Sequence, residues 1–538
     1  MARSYDYIIV GAGSAGCVVA NRLSEDGASV LLLEAGGRDW HPYIHMPLGM
    51  RKLAPNKRVN WDFATEPEPH ANGREIFVPR GKVLGGTSSI NAMIYARGHP
   101  LDYDQWRQAG LKGWGYADVL PYFKRSERSW RGNGKFHGGE GTLPVSRGTR
   151  KNPLWEMFIS AAAKRGFPTT DDYNGAIPEG IGAPDFTIGA GRRRSTAQAF
   201  LRPALKRRNL TVETRALAHR VLMRGGKAVG LEYASGGEIH TVEAEREIIL
   251  SGGTYNSPQL LMLSGIGPAE ELKALGITPV LDRPGVGQNL QEHANCVITF
   301  EINQPISILG ELRWDRLTVS ALRWAFNGTG PVGNMPLQCV CFLRTRAESE
   351  RPDIELLVSP VSPDGLPWFR TPNVKHCFSS RIALLHPRSR GQVKLRSADP
   401  AASPRILYNL YDDPMDLVTL RGGLKTVRGI FNEAPLRDVI AREQSPGAQH
   451  ASDAEIDAWI RNNGQTAHHP AGTCRMGVDE DAVVDEELRV RGVDGLRVAD
   501  CSVMPHVVGA NTNAPTIMIA EKAADYIRRL PPLAPAEL

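Results

Sequence analysis

The sequence predicts a mixed α/β protein built on a Rossmann-type dinucleotide-binding domain, and three observations support this prediction. The chain has 538 residues, enough for three or four domain-sized units or for two large interleaved ones. Its content of 41% hydrophobic and 23% charged residues is that of an ordinary globular protein and excludes wholesale disorder. The N-terminal segment has the pattern of strand, glycine turn, helix and strand.

The N-terminal unit ends in an acidic residue. An apolar, strand-like run at Tyr7–Val10 leads into the sequence GAGSAG at Gly11–Gly16. An apolar helical stretch follows at Cys17–Leu23, and a second strand-like run covers Ala28–Leu33. This order is the βαβ fingerprint of dinucleotide-binding domains.

The glycine turn provides the expected phosphate site. Gly11 permits the tight turn, Gly13 lets the backbone approach a pyrophosphate, and Gly16 allows the helix to pack closely on the strand. Unpaired N–H groups at the helix N-terminus are available to phosphate. We predict Gly11, Gly13, Ser14 and Gly16 as the cofactor-binding residues of this turn.

The acid at the end of the second strand indicates which dinucleotides fit. Glu34 follows Gly11 by 23 residues, so its carboxylate can accept hydrogen bonds from both ribose hydroxyls of an adenosine. It would repel a 2′-phosphate, which excludes NADP. A glycine motif alone is weak evidence because a ligand-free turn can have the same letters, but the flanking strand, helix and acid argue against that alternative. FAD and NAD both remain open at this point.

Charge and apolar patterning exclude other classes of partner. The chain has 64 Lys and Arg against 58 Asp and Glu, a net charge of +6 that is too dilute over 58.8 kDa to indicate nucleic-acid binding. The stretches Ile248–Ala269 and Ser502–Ala520 lack charged side chains, but Gly, Pro, Asn and Ser interrupt them. We therefore predict buried framework there and no integral membrane segment.

The N-terminus and the cysteines indicate a compartment. The opening MARSYDYIIV enters a strand directly, without the basic and apolar regions of a signal peptide. The seven cysteines are odd in number and form no C-x-x-C pair, which favours reduced thiols in a cytoplasmic protein. Cys339 and Cys341 are expected to be packed thiols on one face of a strand. No metal site is predicted, because no His, Cys and acid residues have metal-ligand spacing.

A second glycine cluster, together with several further blocks, resembles a known family. The segments GKVLGGTSSINAMIYARG at Gly81–Gly98 and GTYNSPQLLMLSGIG at Gly253–Gly267 are similar to the two signatures of the glucose-methanol-choline (GMC) flavin oxidoreductases. The resemblance covers nearly the whole chain and is strongest to bacterial alcohol and choline dehydrogenases. The other matching blocks are Trp61–Pro69, Arg193–Leu205, Gly285–His293, His468–Gly477, Arg497–Pro505 and Asn511–Ile527.

The resemblance implies an FAD cofactor. In the family, the segment that matches Val83–Ala92 lies along the pyrophosphate and the isoalloxazine ring, and the acid that matches Asp500 lies beside the pyrophosphate and the ribityl chain. The contacts carried over are Val83, Gly86, Asn91, Ala92, Asp500 and Thr516. The alternative for Asn91, Asp500 and Thr516 is a turn or cap residue. Choline oxidases attach their flavin through a histidine where this chain has Ile90, so the resemblance implies non-covalent FAD.

The resemblance also implies the chemistry, which is oxidation of a primary alcohol to an aldehyde with hydride transfer to flavin N5. Imidazole is a suitable base at neutral pH, and His469 in HHPAGTC matches the family's catalytic histidine. The second catalytic position aligns with Asn513, whose amide would orient the substrate oxygen. His468 is expected to line the pocket or to support its neighbour. The expected partners are a small alcohol and an electron acceptor, either oxygen or a quinone or other redox carrier.

The order of the blocks predicts a discontinuous FAD-binding domain. This domain would comprise residues 1–155, 190–293 and 464–538, and the substrate-binding domain would comprise residues 156–189 and 294–463. The resemblance makes the inserted domain an antiparallel sheet covered by helices.

Local patterns predict individual elements as well. Ser452 and Glu455 form a capping box that opens a helix through Ile460. The basic run Arg192–Arg194, followed by Arg202 and Lys206–Arg208, is expected to be a solvated helix face with some packing against the substrate domain, and the alternative is an anion or nucleic-acid patch. Helical spacing also covers Pro515–Leu530. Strand-like runs lie at Gln338–Leu343, Asp353–Val358 and Gln392–Leu395.

The substrate stays open at the level of sequence. We favour a non-choline primary alcohol; the alternatives are choline, or aryl and furanic alcohols oxidised with oxygen. More remote alternatives are a flavin-dependent lyase, an inactive flavin-binding scaffold and an NAD-linked dehydrogenase. A quaternary ammonium needs an aromatic cage or a nearby acid. The candidate cage residues, each of which could equally be a core residue, are Trp314, Trp324, Trp368 and Phe369.

Overall fold

The structure is a computed structural model that describes residues 3–148, 152–362 and 375–538. Two large sheets, each with its own hydrophobic core, organise these residues. The predicted fold class, a Rossmann-type α/β domain joined to an antiparallel sheet with helices, is confirmed.

The first sheet has seven strands in the described part of the chain and contains the N-terminal fingerprint. Its centre is parallel, as expected for apolar strands buried on both faces, and it places the carboxyl ends of Arg3–Val10 and Val30–Glu34 side by side. Leu496–Val498 pairs in parallel with Glu238–Leu250. The spatial order of the other six strands is Leu210–Thr214, Val30–Glu34, Arg3–Val10, Glu238–Leu250, Lys227–Ser235 and Ala216–Arg224.

Helices from both ends of the chain cover this sheet. The fingerprint helix Gly16–Leu23 packs against the last helix, Asn513–Arg528, which in turn packs against Tyr116–Ser126. The last helix begins two residues before the predicted Pro515 and ends at Arg528. One hydrophobic core thus joins residues that are about 500 positions apart, which is possible because the domain is discontinuous.

The second sheet is antiparallel and also has seven strands in the described residues. The helices Pro153–Lys164 and Pro414–Phe431 pack on one face, and the other face points toward the first domain. Six of its strands form one continuous series, and the seventh, Gln465–Thr466, pairs with Ala294–Ile302. In spatial order the six are Ile440–Ser445, Ala294–Ile302, Cys377–Leu384, Ile354–Ser359, Cys339–Leu343 and Gly180–Gly182.

The predicted strands of the inserted region form with one difference in pairing. Cys339–Leu343 and Ile354–Ser359 lie within one residue of the predicted bounds. Gln392–Lys394 is a strand as well, but it pairs with Arg405–Leu407 in a separate two-stranded sheet. A short alternation of polar and apolar residues predicts that this segment is a strand, but it does not predict the strand with which the segment pairs.

Two elements cross the predicted domain boundaries. The helix Pro153–Lys164 spans residue 155, and its Leu154 and Phe158 lie in the core under the second sheet. Gln465–Thr466 pairs with Ala294–Ile302 of the second sheet. We propose that the substrate-binding domain begins before Pro153 and ends after Thr466.

The predicted capping box forms at the entry to the helix Asp453–Asn463. The Ser452 hydroxyl accepts the Glu455 backbone N–H at 3.3 Å, and the Glu455 carboxylate accepts the Ser452 backbone N–H at 2.9 Å. This helix fixes the position from which the chain enters the segment around His469.

Shorter elements complete the fold. Cys339 and Cys341 are buried free thiols whose sulfur atoms lie 3.9 Å apart. None of the helices in the described ranges combines the length and apolar character that crossing a bilayer requires. The remaining helices are Pro42–His45, Pro100–Gln108, Arg202–Ala204, Gly253–Leu263, Ala269–Ala274 and Trp314–Asn327. The remaining strands are Phe63–Ala64, Phe77–Val78, Glu127–Ser129, Leu143–Arg147, Asp185–Phe186, Ile188–Gly189, Arg192–Arg193, Ile266–Gly267 and Leu281–Asp282.

Candidate active site

A cavity of about 410 Å³ lies between the two sheets. It runs from the fingerprint turn, at the carboxyl edge of the first sheet, to the segment around His469, where strands of the second sheet form its wall. Gly16 and Val83 do not line it. The predicted site residues that do are Gly11, Gly13, Ser14, Glu34, Gly86, Asn91, Ala92, His469, Asp500, Asn513 and Thr516.

The three fingerprint glycines have different environments. Gly11 has φ +97°, and a Cβ there would lie 2.5 Å from the Ser251 carbonyl oxygen. A Cβ on Gly16 would lie 1.8 Å from the Gly11 carbonyl oxygen, so Gly16 serves helix packing. A Cβ on Gly13 would have no protein neighbour closer than 3.9 Å, so this backbone is open to the cavity. The arrangement fits a group that approaches the main chain at Gly13.

The second glycine cluster forms the facing wall of this cradle. Gly86 has φ +52°, and a Cβ there would lie 2.7 Å from the Gly13 Cα. The Gly85 N–H donates to the Ala12 carbonyl at 2.7 Å, which ties the two glycine loops together. Val83 is buried behind them. Two glycine loops in contact leave a narrow, side-chain-free slot of the kind that a pyrophosphate occupies.

Glu34 is buried at the adenosine end of this slot. Its Oε2 accepts the Ala12 N–H at 2.9 Å, and its Oε1 accepts the Gly36 N–H at 2.8 Å. Burial raises the pKa of Glu34 to about 7, against the lowering effect of these two hydrogen bonds. Each oxygen keeps a second lone pair for a ribose hydroxyl, so Glu34 fits an FAD cofactor.

Asp500 and Thr516 combine cavity lining with local structural roles. Asp500 accepts hydrogen bonds from the Gly253 N–H at 2.8 Å, the Ser257 hydroxyl at 2.6 Å and the Ser502 N–H at 2.8 Å. The Thr516 hydroxyl donates to the Thr512 carbonyl at 2.7 Å within the last helix. Asp500 is therefore a cap residue as well, through its bond to the Ser502 N–H. Its bond to the Gly253 N–H places the carboxylate at the start of the helix Gly253–Leu263, which borders the cavity.

The environment of Arg193 differs from the one predicted. It is 1% exposed and lies on the short strand Arg192–Arg193, so the prediction of a solvated helix face is wrong for this residue. Its guanidinium donates to the carbonyl oxygens of Ile44 at 2.8 Å and Ser88 at 3.0 Å, and to Asn91 Oδ1 at 2.7 Å. Burial lowers the pKa of Arg193 to about 9. Arg193 thus positions the Asn91 side chain at the cavity wall.

His469 pairs with a different asparagine from the one predicted. Its Nε2 lies 3.1 Å from Asn511 Nδ2, whereas Asn513 Oδ1 accepts a hydrogen bond from Ser14 Oγ at 2.8 Å. Among the described residues it is therefore Asn511, and not the predicted Asn513, whose amide lies against the His469 ring. The reason is local: Asn513 is the first residue of the last helix and faces the fingerprint turn, and Asn511 lies in the preceding turn.

A second histidine holds the other side of the His469 ring. His293 Nδ1 lies 3.1 Å from His469 Nδ1, and the two rings meet edge to face. The neighbouring Glu292 accepts the His469 backbone N–H at 2.7 Å. Sequence reasoning missed both residues, although they end the block Gly285–His293 that was used to recognise the family.

The charge state of His469 follows from its surroundings. The ring is open to the cavity and otherwise enclosed by protein. This burial is the main cause that holds the pKa of His469 well below its ordinary value. The neighbouring His293, His468, Arg80 and Arg381 act in the same direction. The ring is therefore neutral at physiological pH and carries a lone pair. Arg80 donates to the His468 carbonyl at 2.8 Å, which fixes the same loop from the opposite side.

The fold and the cavity define a two-domain, dinucleotide-dependent oxidoreductase, and comparison with known proteins specifies the family. The chain belongs to the GMC oxidoreductases: the N-terminal model of that family matches residues 5–295 and the C-terminal model matches residues 387–520. The predicted family and FAD cofactor are confirmed. The chain is a FAD-dependent oxidoreductase that acts on CH–OH donors.

Individual relatives are similar over almost the whole chain. The oxygen-dependent choline dehydrogenase of Sinorhizobium fredii (strain NBRC 101917 / NGR234) is 46% identical over 534 residues, 98% of this chain and 96% of that protein. The enzyme of the same name from Brucella anthropi is 45% identical with the same coverage. Among solved structures, pyridoxine 4-oxidase from Mesorbium loti has a TM-score of 0.87 at 32% identity, covering 97% of this chain and 98% of that one. Formate oxidase from Aspergillus oryzae RIB40 has a TM-score of 0.91 at 29% identity, with 98% of both chains covered.

Proposed function

We propose that the protein oxidises a primary alcohol to an aldehyde, with His469 as the base. The observation that carries this proposal is the pair of nitrogen atoms, His469 Nε2 and Asn511 Nδ2, which lie 3.1 Å apart at the cavity wall. A substrate hydroxyl that enters between them replaces their direct hydrogen bond: its oxygen accepts from Asn511 Nδ2 and its O–H donates to the lone pair of His469 Nε2, each at about 2.9 Å. The same site can therefore hold the substrate oxygen and receive its proton.

Each side chain at this site has a separate role in the proposed reaction. The Asn511 amide donates to the substrate oxygen and stabilises the alkoxide as it develops. The neutral His469 ring accepts the hydroxyl proton at Nε2. In the proposed tautomer His469 donates its Nδ1–H to His293 Nδ1, which fixes the ring orientation and leaves the lone pair at Nε2. Bound FAD supplies the acceptor for the hydride that leaves the carbinol carbon, so that one proton and one hydride complete the oxidation.

The residues expected to hold FAD are those of the glycine cradle and its surroundings. Gly16 and Val83 support the cradle from behind, since neither lines the cavity. Asn513 joins this group through its contact with Ser14. The proposed contact residues are Gly11, Gly13, Ser14, Glu34, Gly86, Asn91, Ala92, Asp500, Asn513 and Thr516.

We expect the FAD to be held without a covalent bond through position 90. Ile90 lines the cavity, and its side chain has no nucleophile with which to form such a bond. Acid precipitation of the purified protein should leave yellow, fluorescent flavin in the supernatant. Flavin that stays with the washed pellet would show a covalent link and contradict this expectation.

Choline is the second candidate substrate, because two relatives at 46% and 45% identity are named choline dehydrogenases. Two of the four aromatic residues suggested for a cage do not support it. Trp314 and Trp324 lie on the helix Trp314–Asn327 and do not line the cavity. Trp368 and Phe369 lie outside the described residues. Aryl or furanic alcohols remain a further candidate class, with oxygen or a quinone as electron acceptor.

An anaerobic screen tests the proposed function. The FAD-loaded protein is mixed without oxygen with choline, linear alkanols, benzylic and furanic alcohols and polyols, and the flavin absorbance is followed. We expect at least one primary alcohol to bleach the flavin and to yield the aldehyde. The rate at which colour returns in air then distinguishes an oxidase from a dehydrogenase. A flavin that no alcohol bleaches would refute the proposal and favour a lyase or a scaffold.

A further inference from the structure

The catalytic end of the cavity contains an arginine and a carboxyl group that the chemistry above does not use. Glu355 and Arg381 lie on the neighbouring antiparallel strands Ile354–Ser359 and Cys377–Leu384, where Leu357 pairs with Arg381. Both residues line the cavity, whereas Leu356 and Ile382, which alternate with them, are buried in the core on the opposite face. The strand alternation therefore directs Glu355 and Arg381 toward the cavity side.

Arg381 is the part of this pair that a ligand can reach. It is partly exposed in the cavity wall, and its one hydrogen bond among the described residues is long, 3.4 Å from Nη1 to Asn295 Oδ1. It lies near enough to His468 and His469 for its charge to contribute to lowering the pKa of both. A guanidinium with free donors beside the proposed base is placed to bind a second group of the same substrate.

Glu355 makes no ion pair with Arg381 among the described residues. It is 0% exposed, and neither of its carboxyl oxygens has a hydrogen-bond partner among the described residues. Burial raises the pKa of Glu355 to about 8, even though Arg381 acts in the opposite direction. Near pH 7 the carboxyl group is therefore mostly protonated, and the charge of Arg381 is left for a ligand.

The charge at this end of the cavity is unfavourable for a quaternary ammonium. Among the described residues, Arg80 and Arg381 are the basic side chains that line it and Glu355 is the acid, so this lining is positive in either state of Glu355. The Trp and Tyr rings of the described lining already face protein cations. Lys82 Nζ lies 4.3 Å from the Trp61 ring centroid, and Arg80 Cζ lies 5.7 Å from that of Tyr255.

We infer that Arg381 binds a carboxylate on the substrate, so that the enzyme acts on hydroxy acids in preference to choline. The inference rests on the proposed alcohol oxidation and extends it to a substrate class. In this arrangement the carbinol oxygen lies between His469 and Asn511, and the carboxylate is paired with the Arg381 guanidinium. Glu355 makes no hydrogen bond to Arg381 among the described residues, so it does not compete with the carboxylate for the guanidinium donors.

Isosteric substrate pairs test the inference through flavin reduction. 4-Hydroxybutanoate is compared with the neutral 4-methyl-1-pentanol, and choline with 3,3-dimethyl-1-butanol, using the FAD-loaded enzyme without oxygen; other chain lengths of the ω-hydroxy acid are included. We expect the best hydroxy acid to exceed its neutral counterpart by about 10- to 100-fold in reduction rate constant over Kd, as charge-assisted hydrogen bonds produce. Arg381→Met should abolish this preference, and Arg381→Lys should retain part of it.

A binding measurement separates this inference from the proposed function. Pentanoate has a methyl group in place of the hydroxyl and cannot be oxidised, so calorimetric titration of the FAD-loaded enzyme with pentanoate and pentanamide reports recognition alone. We expect pentanoate to bind more tightly, and Arg381→Met to remove the difference. Arg323→Met, on an exposed helix face, should leave it unchanged. Glu355→Gln should change pentanoate binding less than threefold at pH 7.

The outcomes are distinguishable. Pentanoate binding that depends on Arg381, with no bleaching by any alcohol, supports the anion site and refutes the proposed oxidation. Bleaching by alcohols without any preference for the hydroxy acid overturns the inference and leaves the oxidation intact. Choline that exceeds 3,3-dimethyl-1-butanol, with the preference lost in Glu355→Gln, would show that Glu355 binds a cation and would also overturn the inference.

Discussion

His469→Ala should slow substrate-dependent flavin reduction by about 10²- to 10⁴-fold while leaving FAD bound, which is the range that a general base contributes. The side chain provides the lone pair at Nε2 and touches none of the glycine loops of the cofactor cradle. Stopped-flow reduction without oxygen measures the effect, and the flavin absorbance per protein measures cofactor retention. Added imidazole should restore part of the rate, because it can enter the space that the ring leaves.

The pH dependence provides a second readout of the same role. The pKa of His469 is held well below its ordinary value, so the ring stays deprotonated as the pH falls from 8 to 6. We expect no acidic limb from this group in that range. His240→Ala, near the opposite end of the strand Glu238–Leu250 from the cavity and not part of its lining, is the control. A variant His469→Ala that reduces flavin at the wild-type rate would rule out the base, and a variant that has lost FAD would point to a structural role.

Asn511→Ala should lower the rate of flavin reduction by about 10²- to 10³-fold, the effect of removing one donor to a developing oxyanion. Its amide is the donor that lies 3.1 Å from His469 Nε2. FAD content and thermal stability should stay close to wild type, since Asn511 Oδ1 has no partner in the described residues. Stopped-flow reduction over a range of substrate concentrations separates the loss in rate constant from any change in Kd.

Asn513→Ala is the matched comparison, two residues further along the chain. It removes the hydrogen bond to Ser14 at the fingerprint turn, so the expected loss is in FAD affinity and not in the rate constant of the loaded enzyme. Measuring both variants after saturation with FAD compares the two asparagines directly. The opposite pattern, with slow chemistry in Asn513→Ala and weak FAD binding in Asn511→Ala, would restore the assignment made from the sequence.

Contiguous motifs made the family and the cofactor readable without a structure. Two requirements of the fingerprint glycines are local: the positive φ at Gly11 and the contact of Gly16 with the Gly11 carbonyl involve residues at most five positions apart. The capping box at Ser452 and the final helix depend on residues within one or two turns in the same way. Short-range geometry of this kind is encoded in spacing alone.

The tertiary structure decided which side chains meet. The sequence placed two asparagines next to the last helix, and only the position where that helix begins shows that Asn511 contacts His469 while Asn513 contacts Ser14. His293 and Arg193 act on residues 176 and 102 positions away, respectively. No local pattern specifies such contacts, because they depend on how the two domains pack.

The same reason limits what a sequence reveals about specificity. Glu355 and Arg381 read as ordinary polar residues of two strands, and the pairing register of those strands alone brings both to the catalytic end of the cavity. The sequence by itself determined the family, the cofactor and the kind of reaction, since those reside in contiguous motifs that bind a constant ligand. The proposed partner of His469 and the charge of the cavity lining were decided by tertiary structure, because they arise where distant segments meet.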